Sequence, residues 1–185
     1  MSFAVCVFCG SSNGADPAFA DAARSLGREI ARRGWTLVYG GGSVGLMGML
    51  ADAALGAGGR VVGVIPRFLY EWEVGHDDLT ELEVVETLTE RKVRMGDLAD
   101  AFLSLPGGIG TMDELFEALS WAQLGLETKP NGLLNINGYY DGLIAFLDHA
   151  VQAGLVKPKH RALLLVGSDP SEVLDRLATQ RRPSS

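Results

Sequence analysis

The chain has 185 residues, of which 47% are apolar, so it is long enough to bury one sizeable hydrophobic core. Sixteen Lys and Arg residues against 23 Asp and Glu residues give a net charge of −7, and no run of basic residues is longer than two. A surface for nucleic acid or for an anionic membrane is therefore not expected, whereas a small anionic ligand needs only a local positive potential.

Apolar runs of strand length alternate along the chain with segments of helical periodicity. The predicted strands are FAVCVFC, TLVYG, RVVGVIP, LEVVE, AFLSLP, NGLLNI and RALLLV. The predicted helices cover residues 17–33, 44–55, 88–99, 112–124, 139–153 and 170–180. Because Val/Ile/Leu-rich strands that alternate with helices are typical of a parallel sheet covered on both faces, we predict a Rossmann-like, doubly wound α/β fold. We expect one domain over residues 1–180 and a flexible tail over 181–185.

Residues 67–80, RFLYEWEVGHDDLT, interrupt this alternation because they are aromatic and charged without a clean period. Two interpretations stay open for this segment. It is either a flap over a site or an ordinary surface excursion.

The cysteines and the start of the chain bear on the compartment. No apolar run approaches the ~18 residues of a membrane span, and MSFAVCVFCGSS lacks a basic region of the kind that precedes a signal sequence. A cytoplasmic protein is expected. Cys6 and Cys9 lie three positions apart in a predicted strand, so their side chains point to opposite faces and we predict buried, inert thiols. With no second cysteine pair to complete a zinc site, neither a metal nor a cofactor is expected.

Three predicted strands end in polar or glycine-rich loops, at residues 9–13 (CGSSN), 40–45 (GGGSVG) and 106–111 (PGGIGT). In a parallel sheet these loops share the carboxyl edge, where ligands bind. The third loop leads into a helix whose first turn we expect to contain Asp113 and Glu114. Glycines allow close approach of a ligand, and free N–H groups at a helix start favour an anion such as phosphate.

The second loop fits the dinucleotide pattern G-x-G-x-x-G, but the following strand RVVGVIP ends without the acidic residue that would hold a ribose. No G-x-x-x-x-G-K-[ST] motif is present, which disfavours a Walker-type triphosphate site. A mononucleotide is a smaller ligand that still uses such loops.

Arg91 and Lys92 fall in the first turns of a predicted helix, where cations are unfavourable unless an acid or anion lies nearby. Glu86 and Glu90 are one source of compensation. The other interpretation is that the two cations contact phosphate or sugar oxygens, with Arg91 offering two donors at once. His76, His149 and His160 lie outside the motifs and are expected at the surface, with His76 able to approach through the flap.

Together these residues resemble the Lonely Guy family of nucleotide phosphoribohydrolases, formerly labelled possible lysine decarboxylases. The motif P-G-G-x-G-T-x-x-E is present as PGGIGTMDE and R-K as Arg91-Lys92, and the similarity extends through CGSS, YGGGSVGLMG, WAQLG and LLNINGYYDGL. The resemblance implies hydrolysis of the N-glycosidic bond of a purine riboside 5′-monophosphate, with an N6-prenylated adenine (a cytokinin) as the base in some members. The chain departs from the family pattern at one place, since the family commonly has Met-His where this chain has Leu88-Thr89.

The resemblance further implies residue roles. Glu114 and Arg91 match the catalytic pair, and the loop 107–111 would hold the 5′-phosphate. The candidate substrate-binding set is Lys92, Pro106, Gly107, Gly108, Ile109, Gly110, Thr111, Ser11, Ser12, Gly41, Gly42 and Met95.

The chemistry suits this assignment, because a carboxylate beside the ribose stabilises the positive charge that develops as the bond to the base breaks. Glu114 lies three residues after Thr111 and so on about the same helix face, whereas Asp113 points roughly 100° away. The two acids are therefore not a facing glycosidase pair, and we assign Asp113 to capping or solvent.

Two other functions and the assembly remain to be considered. A nucleotide-binding regulatory module without catalysis would use the same loops, and a decarboxylase would need a lysine for pyridoxal phosphate among Lys92, Lys129, Lys157 and Lys159. A homodimer is expected, because the helix after the third loop is apolar on more than one face, through Phe116, Leu119, Trp121 and Leu124.

Overall fold

The protein is described by a computed structural model over residues 2–73 and 75–180, and the tail expected at 181–185 lies outside these residues. Within the described ranges, one sheet of seven parallel strands has the order β4-β3-β2-β1-β5-β6-β7. The strands are β1 (Ala4–Phe8), β2 (Thr36–Tyr39), β3 (Arg60–Pro66), β4 (Glu81–Val85), β5 (Ala101–Ser104), β6 (Asn131–Leu134) and β7 (Leu164–Gly167). The predicted doubly wound α/β fold is confirmed.

Helices connect the strands and cover both faces of the sheet. They are α1 (Pro17–Arg32), α2 (Gly45–Gly56), α3 (Arg67–Glu73), α4 (Leu88–Leu98), α5 (Ile109–Leu124), α6 (Asp141–Gln152), α7 (Pro158–Arg161) and α8 (Pro170–Gln180). Helices α1, α2 and α8 pack on one face of the sheet, and α4, α5 and α6 pack on the other. None of the helices in the described part of the chain combines the length and hydropathy that a bilayer crossing needs.

The core follows from the alternation of side chains along β1. Cys6 faces the α4 and α5 side, with Phe8, whereas Cys9 packs on the α1 and α2 side. Both cysteines are buried and free, and burial raises the pKa of each thiol above its usual range. Because the thiolate is the reactive form, the prediction of buried, unreactive cysteines is supported.

Two helix predictions were incomplete. We expected no helix in residues 67–80 or near residue 160, yet α3 and α7 lie there. Both are short, and a helix of so few residues depends on tertiary contacts that no local pattern reveals. The helix predicted to begin at residue 112 begins at Ile109, so Gly110 lies inside its first turn.

Candidate active site

The strand order reverses between β1 and β5, and the three predicted loops meet at this end of the sheet. A cavity of about 290 Å³ opens there. Its walls are formed by Val7, Phe8, Cys9, Gly10, Ser11, Gly40, Met47, Leu69, Leu88, Arg91, Gly108, Ile109, Gly110, Thr111 and Glu114. A neighbouring pocket, also of about 290 Å³, shares Gly10, Ser11 and Gly108 with this cavity and adds Ser12, Pro106 and Gly107 from the predicted set.

The start of α5 forms one wall of the cavity. Gly108 is the N-cap residue, and its carbonyl accepts from Met112 N at 3.1 Å as the first turn closes. The N–H groups of Ile109, Gly110 and Thr111 precede the first possible intrahelical bond and are free to face a ligand. Asp113 and Glu114 are in the second turn, because α5 begins three residues earlier than predicted, and no acid lies in the first turn. An anion at the helix start is therefore not repelled from within that turn.

The glycines of this loop have different reasons to be glycine. A Cβ on Gly107 would collide with the Thr111 side chain, so packing alone requires glycine there. A Cβ on Gly108 or Gly110 would meet no atom within 4 Å, and neither residue has a positive φ. Neither packing nor backbone conformation requires glycine at these two positions. Close approach of a ligand to the backbone gives a reason for both.

Arg91 extends from α4 beneath the loop after β2 and is 9% exposed. Its Nε donates to Val64 O at 3.1 Å and its Nη2 to Gly40 O at 3.0 Å. A Cβ on Gly40 would collide with this guanidinium, so that glycine makes room for it. Nη1 lies 3.9 Å from Glu114 Oε1. Two backbone carbonyls thus fix the guanidinium beside the predicted catalytic carboxylate.

Glu114 lies on the cavity wall with only 12% of its side chain exposed. Burial raises the pKa of its carboxyl group to about 7, although the positive charge of Arg91 acts in the opposite direction. The group therefore exchanges a proton near neutral pH. A carboxyl group with such a pKa in a cleft is suited to acid–base chemistry.

Two further predicted site residues, Lys92 and Met95, lie away from the cavity wall. Lys92 Nζ is held by Asp113 Oδ2 at 3.0 Å and by Glu117 Oε1 at 3.1 Å, on the outer side of α4 and α5. Asp113 faces solvent, as one of the two predicted alternatives has it, with 61% of its side chain exposed, and it also forms an ion pair with Lys92. Met95 is 1% exposed and packs in the core under the sheet, where α4 meets β1 and β3.

The loop after β2 is tied to the segment that follows α3. Gly42 forms an antiparallel bridge with Gly75, and His76 N donates to Gly41 O at 3.1 Å. The ring of His76 is buried and its Nε2 lies 2.8 Å from Asp52 Oδ1. The expectation of a surface His76 is therefore wrong. Its burial needs this tertiary pairing, which is not visible in the sequence.

Leu69 of α3 lines the cavity, which supports the interpretation of residues 67–80 as a flap over the site. Sequence reasoning did not include Cys9, Met47, Leu69 or Leu88 among the site residues, although all four line the cavity. Met47 in the first turn after the second loop could have been inferred from its place at the carboxyl edge. Leu69 carries no local signal.

Within residues 2–73 and 75–180, no group of three His, Cys, Asp or Glu side chains is placed to hold a metal ion. The polar groups of the cavity are instead backbone amides and the side chains of Ser11, Thr111, Arg91 and Glu114. This set suits an organic anion with a reacting centre near a carboxyl group.

Comparison with known proteins places this geometry in context. The family model described as "Possible lysine decarboxylase" matches residues 47–177. A probable cytokinin riboside 5′-monophosphate phosphoribohydrolase of Oryza sativa subsp. japonica is 49% identical over 173 residues, covering 94% of this chain and 76% of that protein. A cytokinin riboside 5′-monophosphate phosphoribohydrolase of Arabidopsis thaliana is 46% identical over 173 residues, with the same two coverages of 94% and 76%.

Solved structures share the fold at lower identity. The molybdenum cofactor binding protein from the phototrophic bacterium Rippkaea orientalis superposes with a TM-score of 0.71 at 23% identity, covering 97% of both chains. The molybdenum cofactor carrier protein from Chlamydomonas reinhardtii gives a TM-score of 0.71 at 21% identity, covering 97% of this chain and 98% of that chain. At these identities the likeness concerns the fold alone.

Proposed function

Because the chain belongs to the Lonely Guy family of cytokinin riboside 5′-monophosphate phosphoribohydrolases, we propose that it hydrolyses the N-glycosidic bond of purine riboside 5′-monophosphates. The products are the free base and ribose 5-phosphate. One observation carries the proposal beyond the relatives. The N–H groups at the start of α5, together with Gly108 and Gly110, which packing does not require to be glycine, form what we call the anion cradle. The cradle shares its cavity with a buried carboxyl group whose pKa is about 7.

The proposed chemistry assigns one task to each part of the cavity. The N–H groups of residues 109–111 hold the 5′-phosphate, and Glu114 lies beside the ribose. As the bond between C1′ and the base breaks, the carboxylate stabilises the positive charge on the sugar. A water oxygen then bonds to C1′, and Glu114 accepts the proton that this water loses. The same carboxyl group can later return the proton to the departing base, because both of its forms are populated near neutral pH.

The base end of the cavity is proposed to be apolar, since Met47, Leu69 and Leu88 line it. We propose adenine and its N6-prenylated derivatives as the bases. Leu88 occupies the position where the family commonly has methionine, so an apolar contact is kept there.

Chromatography of the bases released from a panel of nucleotides tests the function. We expect base release from adenosine 5′-monophosphate and its N6-prenyl derivative at least about 10²-fold faster than from the corresponding nucleosides. The reason is that binding energy at the remote phosphate is expressed at the reacting carbon. Equal turnover of adenosine and its monophosphate would contradict the proposal. Tight binding of the monophosphate without any base release would favour a regulatory binding module.

A decarboxylase is not proposed, because none of the lysines in the described residues lines the cavity. Lys92 pairs with two acids outside the cavity. Lys129 Nζ donates to Gly96 O at 2.9 Å and to Glu127 Oε2 at 2.8 Å, beyond the cavity lining.

Gly110→Ala should weaken substrate binding without weakening the fold. The new methyl group meets no protein atom within 4 Å but would occupy the space of the bound phosphate. We expect KM to rise on the order of tenfold, as the loss of one bond to a charged group would cause, and stability to stay equal or rise by up to ~1 kcal/mol. Gly142→Ala is the matched control, since Gly142 is also the second residue of its helix and is equally unhindered. An unchanged KM in Gly110→Ala would place the phosphate elsewhere.

We also propose a homodimer that buries the outer face of α5. Phe116 and Leu124 are 38% and 67% exposed, and the neighbouring Leu126 and Phe146 are 75% and 61% exposed. Large apolar side chains exposed on this helix and on the chain beyond it favour an interaction surface, and symmetric pairs are the commonest assemblies. Light scattering at micromolar concentration should give twice the chain mass. A monomer under these conditions would remove the proposal.

The proposed site of action is the cytoplasm, with a small-molecule nucleotide as partner and no nucleic acid or membrane. The net charge of −7 and the two free thiols support this setting. Cell fractionation that recovers the protein with membranes or with nucleic acid at physiological salt would contradict it.

A further inference from the structure

Three carbonyl groups immediately before α5 are held by donors from other parts of the fold. The Tyr140 hydroxyl donates to Leu105 O at 2.6 Å, and Gly10 N donates to Pro106 O at 3.2 Å. The Tyr139 hydroxyl donates to Gly107 O at 2.7 Å. Each of the three carbonyl groups that lead into the anion cradle therefore accepts a hydrogen bond from a distant part of the chain.

The bond from Tyr139 has a directional consequence for the cradle. In a planar trans peptide the C=O and the following N–H point in opposite directions. With the Gly107 carbonyl held on Tyr139, the N–H of Gly108 is directed away from the Tyr139 hydroxyl, and Gly108 is one of the residues that line the cavity. Tyr140 has no such effect, because the peptide after Leu105 belongs to Pro106, which has no N–H.

This peptide needs an external support. Gly107 and Gly108 have no side chains, and nothing lies within 4 Å of a Cβ on Gly108, so neither residue has a side chain of its own that could anchor the peptide between them. A rotation of this peptide would turn a carbonyl oxygen toward the phosphate.

A turn immediately before Tyr139 positions its hydroxyl. Asn137 and Gly138 both have positive φ, at 48° and 74°, and so reverse the chain just before the tyrosine. Asn137 Nδ2 donates to Asp16 Oδ2 at 2.8 Å, which anchors this turn to the start of α1. The ring of Tyr139 packs edge-on against Phe19, with centroids 5.3 Å apart.

We propose that Tyr139 is a positioning residue for the 5′-phosphate and acts through the Gly107–Gly108 peptide. Its hydroxyl fixes the Gly107–Gly108 peptide so that the cradle presents an N–H before substrate arrives. This role rests on the proposed function. Donors that are already oriented bind an anion without the cost of ordering the loop.

Tyr139→Phe tests the role, because it removes the hydroxyl and keeps the ring on Phe19. The two products report on the two ends of the cavity, so both are used as inhibitors of base release from adenosine 5′-monophosphate. We expect the inhibition constant of ribose 5-phosphate to rise about tenfold and that of adenine to change by less than about twofold. Tyr70→Phe is the control, since it also loses one hydroxyl bond, to Asp77 at 3.1 Å, but lies outside the cavity lining. Both constants should be unchanged in this variant.

Thermal unfolding of each variant shows whether the fold is kept. A parallel rise of both inhibition constants in Tyr139→Phe would mean that the hydroxyl only supports the fold, and no rise in either would mean that it has no role in the cradle. Either result overturns the proposal for Tyr139 and leaves the proposed function standing. A wild-type protein that releases no base and does not bind ribose 5-phosphate would overturn the proposed function, and the role of Tyr139 with it.

Discussion

Glu114→Gln should lower turnover of the monophosphate by on the order of 10²–10³-fold, because the amide keeps the shape of the side chain but cannot carry its negative charge. In the proposed mechanism the carboxylate stabilises a charge that exists only in the transition state, so substrate affinity should change little. It should rise slightly if anything, since the amide does not repel the nearby phosphate. Rates of base release and calorimetric binding of adenosine 5′-monophosphate measure the two quantities separately.

Asp113→Asn is the internal control for this experiment. Asp113 is 61% exposed and faces Lys92, which keeps its second partner Glu117 when the first is lost. Because Asp113 is the exposed member of this pair and does not line the cavity, turnover should stay near that of the wild type. If Glu114→Gln turned over like the wild type, or lost binding and turnover equally, Glu114 would be a structural or ground-state residue.

The sheet, its helical cover and the meeting of three loops at one edge could be predicted, because these depend on local periodicity and on the general handedness of strand-helix-strand units. The start of α5 could not. Gly110 has a low helix propensity and argued for a loop, whereas the first turn in fact begins at Ile109. The predicted helix start therefore placed Glu114 in the first turn, about one turn nearer to the anion than it lies.

Three predicted site residues have tertiary contacts that the sequence does not reveal. Gly41 and Gly42 are predicted to contact the ligand, and the segment after α3 pairs with them through Gly75 and His76. Lys92 is predicted to contact phosphate or sugar oxygens, and its amino group lies between two acids of α5. Each outcome depends on a neighbour more than 20 positions away, which no local pattern identifies.

Arg91 shows how the fold adjusts the predicted catalytic pair. The sequence suggested a cation that binds substrate, yet two of its nitrogens are committed to the carbonyls of Val64 and Gly40. The remaining Nη1 is 3.9 Å from Glu114, close enough to limit the rise of its pKa without a direct hydrogen bond. The positive charge of Arg91 thus offsets part of the rise in the pKa of Glu114 that burial causes.

The last prediction concerns the stability cost of this arrangement. The pKa of Glu114 is about 7 in the folded protein and near 4.5 in the unfolded chain, so between these values the folded state holds a proton that the unfolded state has released. Raising the pH through this window therefore destabilises the wild type, and the cost is complete above pH 7. Glu114→Gln cannot ionise and avoids it.

Glu114→Gln should accordingly match the wild type in stability below pH 4.5 and exceed it by about 3 kcal/mol at pH 8. Urea unfolding at the two pH values measures the difference, and Asp113→Asn, altered at an exposed side chain, should show no comparable gain. If the variant is only as stable as the wild type at pH 8, burial does not raise the pKa of Glu114 and its carboxyl group is ionised across the neutral range. If the gain is found together with the loss of turnover, the carboxyl group reduces stability at the position where catalysis needs it, which is the trade between stability and activity expected of an active site.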